Sequence, residues 1–287
     1  MNFIEKKISQ FDKFQQKHRF FSFPIAVFKK YGDDEAGTHA ALITYYGFVS
    51  LFPLLLVLFS VLNLLTKSNK GIEGRVISAT LHYFPVSSQQ IYENIHTYHR
   101  TGVSLFIGII ITIYGARGVA SALQNASNSL WNIPKEKRPD FWHSLARSLG
   151  IIILGGFGMI LTTLILSYTN NISSKGLLFK AIVTIFALIL NILVFTMVFR
   201  LATAKSVHTK YLFSGAIVAA IFWQILQFVG SFLILHQLRR SSEFYGIFAL
   251  VLGMLFWIYI QAEATLYAIE INVVRIKKMW PRKLIDD

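Results

Sequence analysis

Long uninterrupted apolar runs dominate the hydrophobic pattern of this chain. Each run is continuously apolar rather than alternating, which is typical of a membrane-spanning helix and not of a barrel strand. A helix needs about 20 residues to cross the hydrocarbon core of a bilayer. Six runs reach this length, at residues 41–65, 103–123, 145–168, 178–202, 211–235 and 244–273. The pattern therefore predicts an all-α membrane protein, a six-transmembrane helical bundle in one domain over residues 41–273.

The distribution of basic residues predicts the orientation of this bundle. Eighteen of the 28 Lys and Arg residues lie in the N-terminal segment, in two alternate loops and in the C-terminal tail, whereas the other loops hold eight. An excess of Lys and Arg marks the cytoplasmic side. Both termini are therefore expected in the cytoplasm, with a basic tail at 274–287. The formal net charge of +14 then reflects topology and contact with the anionic inner leaflet, without nucleic acid.

The N-terminal segment, residues 1–40, has a pattern of its own. Apolar residues recur at helical spacing between lysines, at Ile4, Ile8, Phe11 and Phe14. One face is then apolar and the other cationic, which predicts an amphipathic helix. It lies either on the inner leaflet or against the cytoplasmic side of the bundle.

A short helical segment is expected outside the cytoplasm at residues 66–102, between the first two spans. Its Glu93, His96 and His99 repeat every three residues and, together with His82, have a composition that metal sites use. Solvated polar residues on an amphipathic helix explain the same spacing more simply. No metal is therefore predicted there.

Charged side chains inside the apolar runs are the first candidates for a functional site, because they are costly in lipid and usually face the bundle interior. At a rise of 1.5 Å per residue, Arg117 in the second run and Glu263 in the sixth lie at the same depth, which predicts an ion pair. Glu270, two turns later, lies at the inner interface, level with Arg147 and Arg200. Such pairs either fix helix register or form a substrate or proton site, and both interpretations stay open.

Other unusual positions lie at comparable depth. Pro53 removes a backbone hydrogen bond within the first run, as broken helices of transporters do. Gln224 and Gln227 form a polar stripe on the fifth run, and Tyr259 lies one turn before Glu263. The candidates for a substrate or ion path are therefore Arg117, Glu263, Glu270, Pro53, Gln224, Gln227 and Tyr259.

Small residues four positions apart predict seams where helices pack closely. Gly215 and Ala219 in the fifth run are one such pair, and Ala116 and Ala120 in the second run are another. We expect close packing at these positions.

Two stretches resemble a known family: A-A-L-I-T-Y-Y-G-F-V-S-L-F-P-L-L-L at 40–56 and Y-G-I-F-A-L-V-L-G-M-L-F-W-I-Y-I-Q-A-E-A-T-L-Y-A-I-E-I-N at 245–272. Together with the six runs they resemble the YihY/BrkB family of bacterial inner-membrane proteins, over about residues 25–280. Many members carry Gly-Ala-Glu before the final Asn, where this chain has Ala268-Ile269-Glu270. The resemblance implies a role in cell-envelope integrity, as a transporter of a lipid or other amphipathic molecule.

The leading hypothesis is therefore a carrier or flippase-like transporter of an anionic amphiphile, and the alternative is a non-transporting envelope scaffold. Family members were once labelled ribonuclease BN, but a metal-dependent nuclease needs converging carboxylates. The only acidic cluster, Asp33, Asp34 and Glu35 beside His39, is expected to be a solvated helix start. With no cysteine and no Walker A loop, neither an enzyme nor a cofactor is predicted.

Overall fold

The computed structural model describes residues 19–66, 102–171, 176–204, 207–233 and 239–282. These residues form seven α-helices: α1 (Arg19–Asp33), α2 (Ala36–Thr66), α3 (Gly102–Leu130), α4 (Phe141–Asn171), α5 (Leu177–Ala202), α6 (Phe213–Leu233) and α7 (Arg239–Lys277). Short 3₁₀ turns precede α4 and α6, at Lys135–Lys137 and Thr209–Tyr211. The predicted all-α class is confirmed for these residues.

Each predicted apolar run coincides with one of the helices α2 to α7. Among the described residues, three segments are long and apolar enough to cross a bilayer, and a fourth is apolar but shorter: Phe141–Thr162, Leu178–Ala202, Val251–Lys277 and Phe213–Gln227. That six helices cross, with both termini in the cytoplasm, stays a prediction. The helix predicted from Ile4 to Phe14 lies outside the described residues. So do Glu93, His96, His99 and His82, whose spacing the sequence analysis considered for a metal site.

Large apolar side chains cover the outer faces of α4 and α5. Ile153, Phe157 and Ile160 of α4 and Leu178 and Ile182 of α5 are each more than half exposed. A continuous apolar surface of this kind is unfavourable in water and favourable against acyl chains. The outer surface therefore fits a helical bundle embedded in lipid.

The helices pack around a core at the end of the bundle that holds the loops after α3 and α5. The helix α2 packs mainly on α3 and α7, α6 packs on α5 and α7, and the short α1 docks on α7. Leu130, Phe199, Leu212, Leu266 and Val273 are buried together there. This core end, which contains the predicted cytoplasmic loops, positions the polar residues described next.

Candidate functional site

A buried ion pair joins α1 to α7 at the core end. Lys30 Nζ lies 3.2 Å from Glu270 Oε2, and the two side chains are 2% and 0% exposed. Lys30 also contacts the Asp34 carboxylate one turn later and donates a hydrogen bond to Leu130 O at the end of α3 (3.0 Å). One ammonium group thus connects three helices and supplies the opposite charge that a buried carboxylate requires.

The partner of Glu270 is therefore not one of the arginines predicted to lie level with it. Arg147 Nη1 donates to Thr203 O (3.2 Å) and Arg200 Nη1 donates to Val207 O (3.0 Å), so both guanidinium groups hold loop carbonyls. Depth along the bundle does not determine which way a side chain points around its helix. The cation instead comes from α1, which lies outside the apolar runs.

The Lys30–Glu270 pair belongs to a larger cluster of charges. Both oxygens of Glu270 lack a hydrogen-bond donor among the described residues, so the 3.2 Å contact is a charge contact without hydrogen-bond alignment. Lys277 interacts electrostatically with Lys30, Asp34 and Glu270, while its Nζ donates to Trp131 O (3.0 Å). Two carboxyl groups and two amino groups from α1, α7 and the residue after α1 therefore lie in one cluster at the core end.

Glu263 lies two turns before Glu270 on α7 and has different neighbours. Its Oε1 accepts hydrogen bonds from Tyr31 Oη (3.0 Å) and from Tyr259 Oη (2.6 Å). Tyr31 is stacked on Tyr267, with ring centroids 3.9 Å apart. Burial, and then the Glu263 charge, raises the pKa of the Tyr31 hydroxyl, so this hydroxyl stays a donor. The carboxylate is therefore held by neutral phenols.

The predicted ion pair between Arg117 and Glu263 is wrong. The Arg117 guanidinium carbon lies 5.1 Å from the ring centroid of Phe141 at the start of α4, a cation–π contact. No carboxylate forms an ion pair with Arg117 in the described part of the chain. The two charges are at similar depth, but α2 packs between α3 and α7, and Glu263 faces α1.

The remaining candidates do not join one cluster around Glu263. Of these, only Tyr259 donates to its carboxylate. Gln227 is buried and Gln224 is half-buried on α6, and Pro53 lies within the continuous helix Ala36–Thr66. A role for these three residues in a substrate path stays a prediction.

Asn272 is an anchor that the sequence reasoning did not single out. This side chain is fully buried; its Oδ1 accepts hydrogen bonds from Ser214 Oγ (2.8 Å) and Gly215 N (2.6 Å), and its Nδ2 donates to Leu212 O (3.2 Å). It thus satisfies a backbone N–H at the start of α6 that has no partner within the helix. Asn272 ends the stretch at 245–272 that resembles the family, two residues after Glu270. The sequence indicated this residue only through that resemblance.

Asn128 on α3 plays the same part for the loop after α5. Its Oδ1 accepts a hydrogen bond from Ala204 N (2.9 Å), and the neighbouring Ser127 hydroxyl is 2.8 Å from Thr203 Oγ1. Asn128 and Asn272 therefore fix the two ends of the loop between α5 and α6 to the helices beside it.

The acidic cluster before α2 is not simply a solvated helix start. Asp34 contacts Lys30, and Asp33 Oδ2 forms an ion pair with Arg282 Nη2 (2.9 Å). Burial, and then the Arg138 charge, lowers the pKa of His39, so this imidazole is neutral near pH 7. Within the described ranges no three His, Asp or Glu side chains are grouped to hold a metal ion.

Comparison with known proteins finds relatives that match most of this chain. The chain is 22% identical to the ribonuclease-like protein YfkH of Bacillus subtilis (strain 168) over 280 residues, which cover 93% of this chain and 98% of that protein. It is 22% identical to the inner membrane protein YhjD of Escherichia coli (strain K12) over 267 residues, 85% of this chain and 77% of YhjD. It is 24% identical to a UPF0761 membrane protein of Acinetobacter baylyi over 266 residues, 88% of this chain and 61% of that protein.

No solved structure matches the chain significantly. The family model described as virulence factor BrkB matches residues 27–284, a range that includes the Lys30–Glu270 pair, Glu263 and Asn272. The resemblance inferred from the two sequence stretches is thereby confirmed. Because the match extends over most of its length, this chain belongs to the BrkB family and is an integral membrane protein.

Proposed function

We propose that this protein is a carrier of an anionic amphiphile, resembling a lipid flippase, in the bacterial plasma membrane. Six spans and two cytoplasmic termini are part of this proposal. The observation that supports it is the separation of Arg117 from Glu263, two opposite charges inside the helices of the bundle. Each is held by aromatic side chains instead of by the other.

Structural anchoring alone does not explain this separation. An ionised side chain within a membrane helix is unfavourable, and pairing it with an opposite charge reduces that cost. Glu270 follows this rule, since Lys30 lies against it. Arg117 and Glu263 do not follow it, and unpaired intramembrane charges are typical of substrate and proton paths.

The two residues suit different steps of a transport cycle. Arg117 presents a planar guanidinium group, which binds phosphate or carboxylate through two parallel hydrogen bonds. Both tyrosine hydroxyls donate to Glu263 Oε1, so a proton taken up on Oε2 breaks no ion pair and neither of these hydrogen bonds. In the proposal Arg117 binds the anionic headgroup, Glu263 carries the coupling proton, and Pro53 provides a flexible point in α2.

The alternative is a scaffold that supports the cell envelope without moving a substrate. Under that alternative, Arg117 and Glu263 contribute only to folding, and loss of either charge changes stability but no lipid flux. No enzymatic step is part of either proposal.

Transport can be tested in phosphatidylcholine liposomes that contain phosphatidylglycerol with a fluorescent headgroup. Wild-type protein is expected to speed movement of the labelled lipid between leaflets, measured by chemical quenching of the outer leaflet. Arg117→Gln and Glu263→Gln are expected to slow this movement about tenfold or more, because each removes a charged hydrogen-bonding group.

Matched controls come from the exposed 3₁₀ turn before α4. Lys135→Gln and Glu136→Gln remove one charge of each sign outside the helices and are expected to leave the rate unchanged. Equal lipid movement with and without protein would contradict the carrier proposal. So would equal rates for the helix variants and the loop controls.

A further inference from the structure

A cleft of about 970 Å³ opens at the core end between α1, α6 and α7. Its volume is at the upper end of the range for small-molecule sites. Ile217 of α6 and Ile271 of α7 line its apolar side. Phe23 of α1 and Trp280, which follows α7, form another wall, and their rings pack edge to face with centroids 5.3 Å apart.

Two cations line the same cleft. Arg275 lies in the last turn of α7, and Lys210 lies in the 3₁₀ turn just before α6, with its Nζ 5.1 Å from the ring centroid of Tyr211. Both are exposed, and neither forms an ion pair with an acid among the described residues. No Asp or Glu is found among the described residues around the cleft.

The charges and the apolar surface are separated along the helices. Lys210 lies before the start of α6 and Arg275 in the last turn of α7, whereas Ile217 lies within α6 and Ile271 lies one turn before Arg275 on α7. A phospholipid has the same polarity, with its charged headgroup at the interface and its acyl chains parallel to the helices. Trp280 and Phe23 beside the cations are aromatic residues of the kind that commonly meets lipid headgroups.

We infer that this cleft is a binding site for a phospholipid with a net negative headgroup, drawn from the leaflet that faces the core end. The headgroup lies between Lys210 and Arg275, and an acyl chain lies along Ile217 and Ile271. Two cations without an acid favour a net anion over a zwitterionic headgroup, because a choline or ethanolamine group adds repulsion. This inference is independent of transport, since a resident lipid also fits a scaffold.

The test uses the full-length protein in micelles that contain equal amounts of phosphatidylglycerol and phosphatidylcholine. Native mass spectrometry counts the bound lipids and gives their dissociation constants. Wild-type protein is expected to retain phosphatidylglycerol in preference to phosphatidylcholine. Lys210→Gln and Arg275→Gln are each expected to weaken phosphatidylglycerol binding about fivefold, and the double variant more than either.

A double variant of the exposed 3₁₀ turn before α4, Lys135→Gln with Lys137→Gln, removes the same net charge at residues that do not line the cleft and is the matched control. Monodisperse elution and circular dichroism of each variant verify folding. An equal loss of phosphatidylglycerol in the control would overturn the site, as would equal retention of both lipids by wild type. Excess inorganic phosphate is expected to leave the lipid bound; displacement by phosphate would identify a free-anion site instead.

Discussion

Replacing Lys30 with methionine is expected to lower the free energy of unfolding by about 3–5 kcal/mol, the usual effect of removing one partner from a buried ion pair. Methionine retains an apolar stem but not the ammonium group. Glu270, with no exposed side-chain surface, then loses its nearest cation and must either stay ionised without it or take up a proton. The hydrogen bond to Leu130 O is lost as well, so α1 is expected to separate from α7 before the rest of the bundle unfolds.

Thermal unfolding in detergent, followed by circular dichroism, measures this effect. Lys135→Met removes an exposed lysine and is expected to change stability by less than about 0.5 kcal/mol. The double variant Lys30→Met with Glu270→Met is expected to recover most of the loss, because two apolar side chains replace two buried charges. A Lys30→Met protein as stable as the Lys135→Met control would show that the pair contributes nothing.

Gly215→Ala is expected to destabilise the packing of α6 on α7 by about 3 kcal/mol. A Cβ atom at this position would overlap Ala268 O and the side-chain amide of Asn272. The Ala268 carbonyl belongs to the backbone of α7, so it moves only if the whole helix moves. Asn272 cannot turn aside without releasing its hydrogen bonds to Leu212, Ser214 and Gly215.

Two glycines of α4 are matched controls for this substitution. An added Cβ at Gly155 or Gly156 meets no atom within 4 Å, and alanine favours a helix by about 0.5–1 kcal/mol over glycine. Gly155→Ala and Gly156→Ala are therefore expected to keep or raise the unfolding temperature. The yield of monodisperse protein gives a second measure if Gly215→Ala does not fold. A wild-type yield and midpoint for Gly215→Ala would contradict the close contact of α6 with α7.

The Lys30 and Asn272 anchors determine which part of α7 can move. Lys30 holds Glu270 from the side of α1, and Asn272 holds the start of α6, so the last two turns of α7 are fixed on two sides. Glu263 lies two turns earlier and, within the described ranges, is held by two phenolic hydroxyls. In the proposed carrier, a change at Glu263 therefore needs no rearrangement of the anchored end.

Much of the helical arrangement could be predicted from the sequence, because continuous hydropathy is a local property. The runs at 145–168 and 178–202 lie within α4 and α5, and the small residue Gly215 lies at a close helix contact, as its spacing with Ala219 indicated. The helix α1 was not predicted as a separate element. It contains only 15 residues and has no apolar run long enough to be recognised.

The pairing of charges could not be predicted in the same way. Depth along the bundle follows from residue number and the helical rise. The direction of each side chain around its helix depends on which helices pack beside it. Arg117 was predicted to pair with Glu263. Instead Arg117 contacts the Phe141 ring, and Glu263 accepts hydrogen bonds from two tyrosines.

The amino-acid sequence by itself determined that this chain forms apolar membrane helices, where they lie along the chain, and that charges occur inside them, since these properties depend on composition and periodicity alone. Only the tertiary structure decided that Lys30 pairs with Glu270, that Arg117 and Glu263 stay apart, and that Asn272 holds the start of α6. The Lys30–Glu270 contact joins residues 240 positions apart, and the Asn272–Gly215 contact joins residues 57 positions apart. Whether such contacts form depends on the rotation and the neighbours of each helix, and no local sequence pattern encodes these.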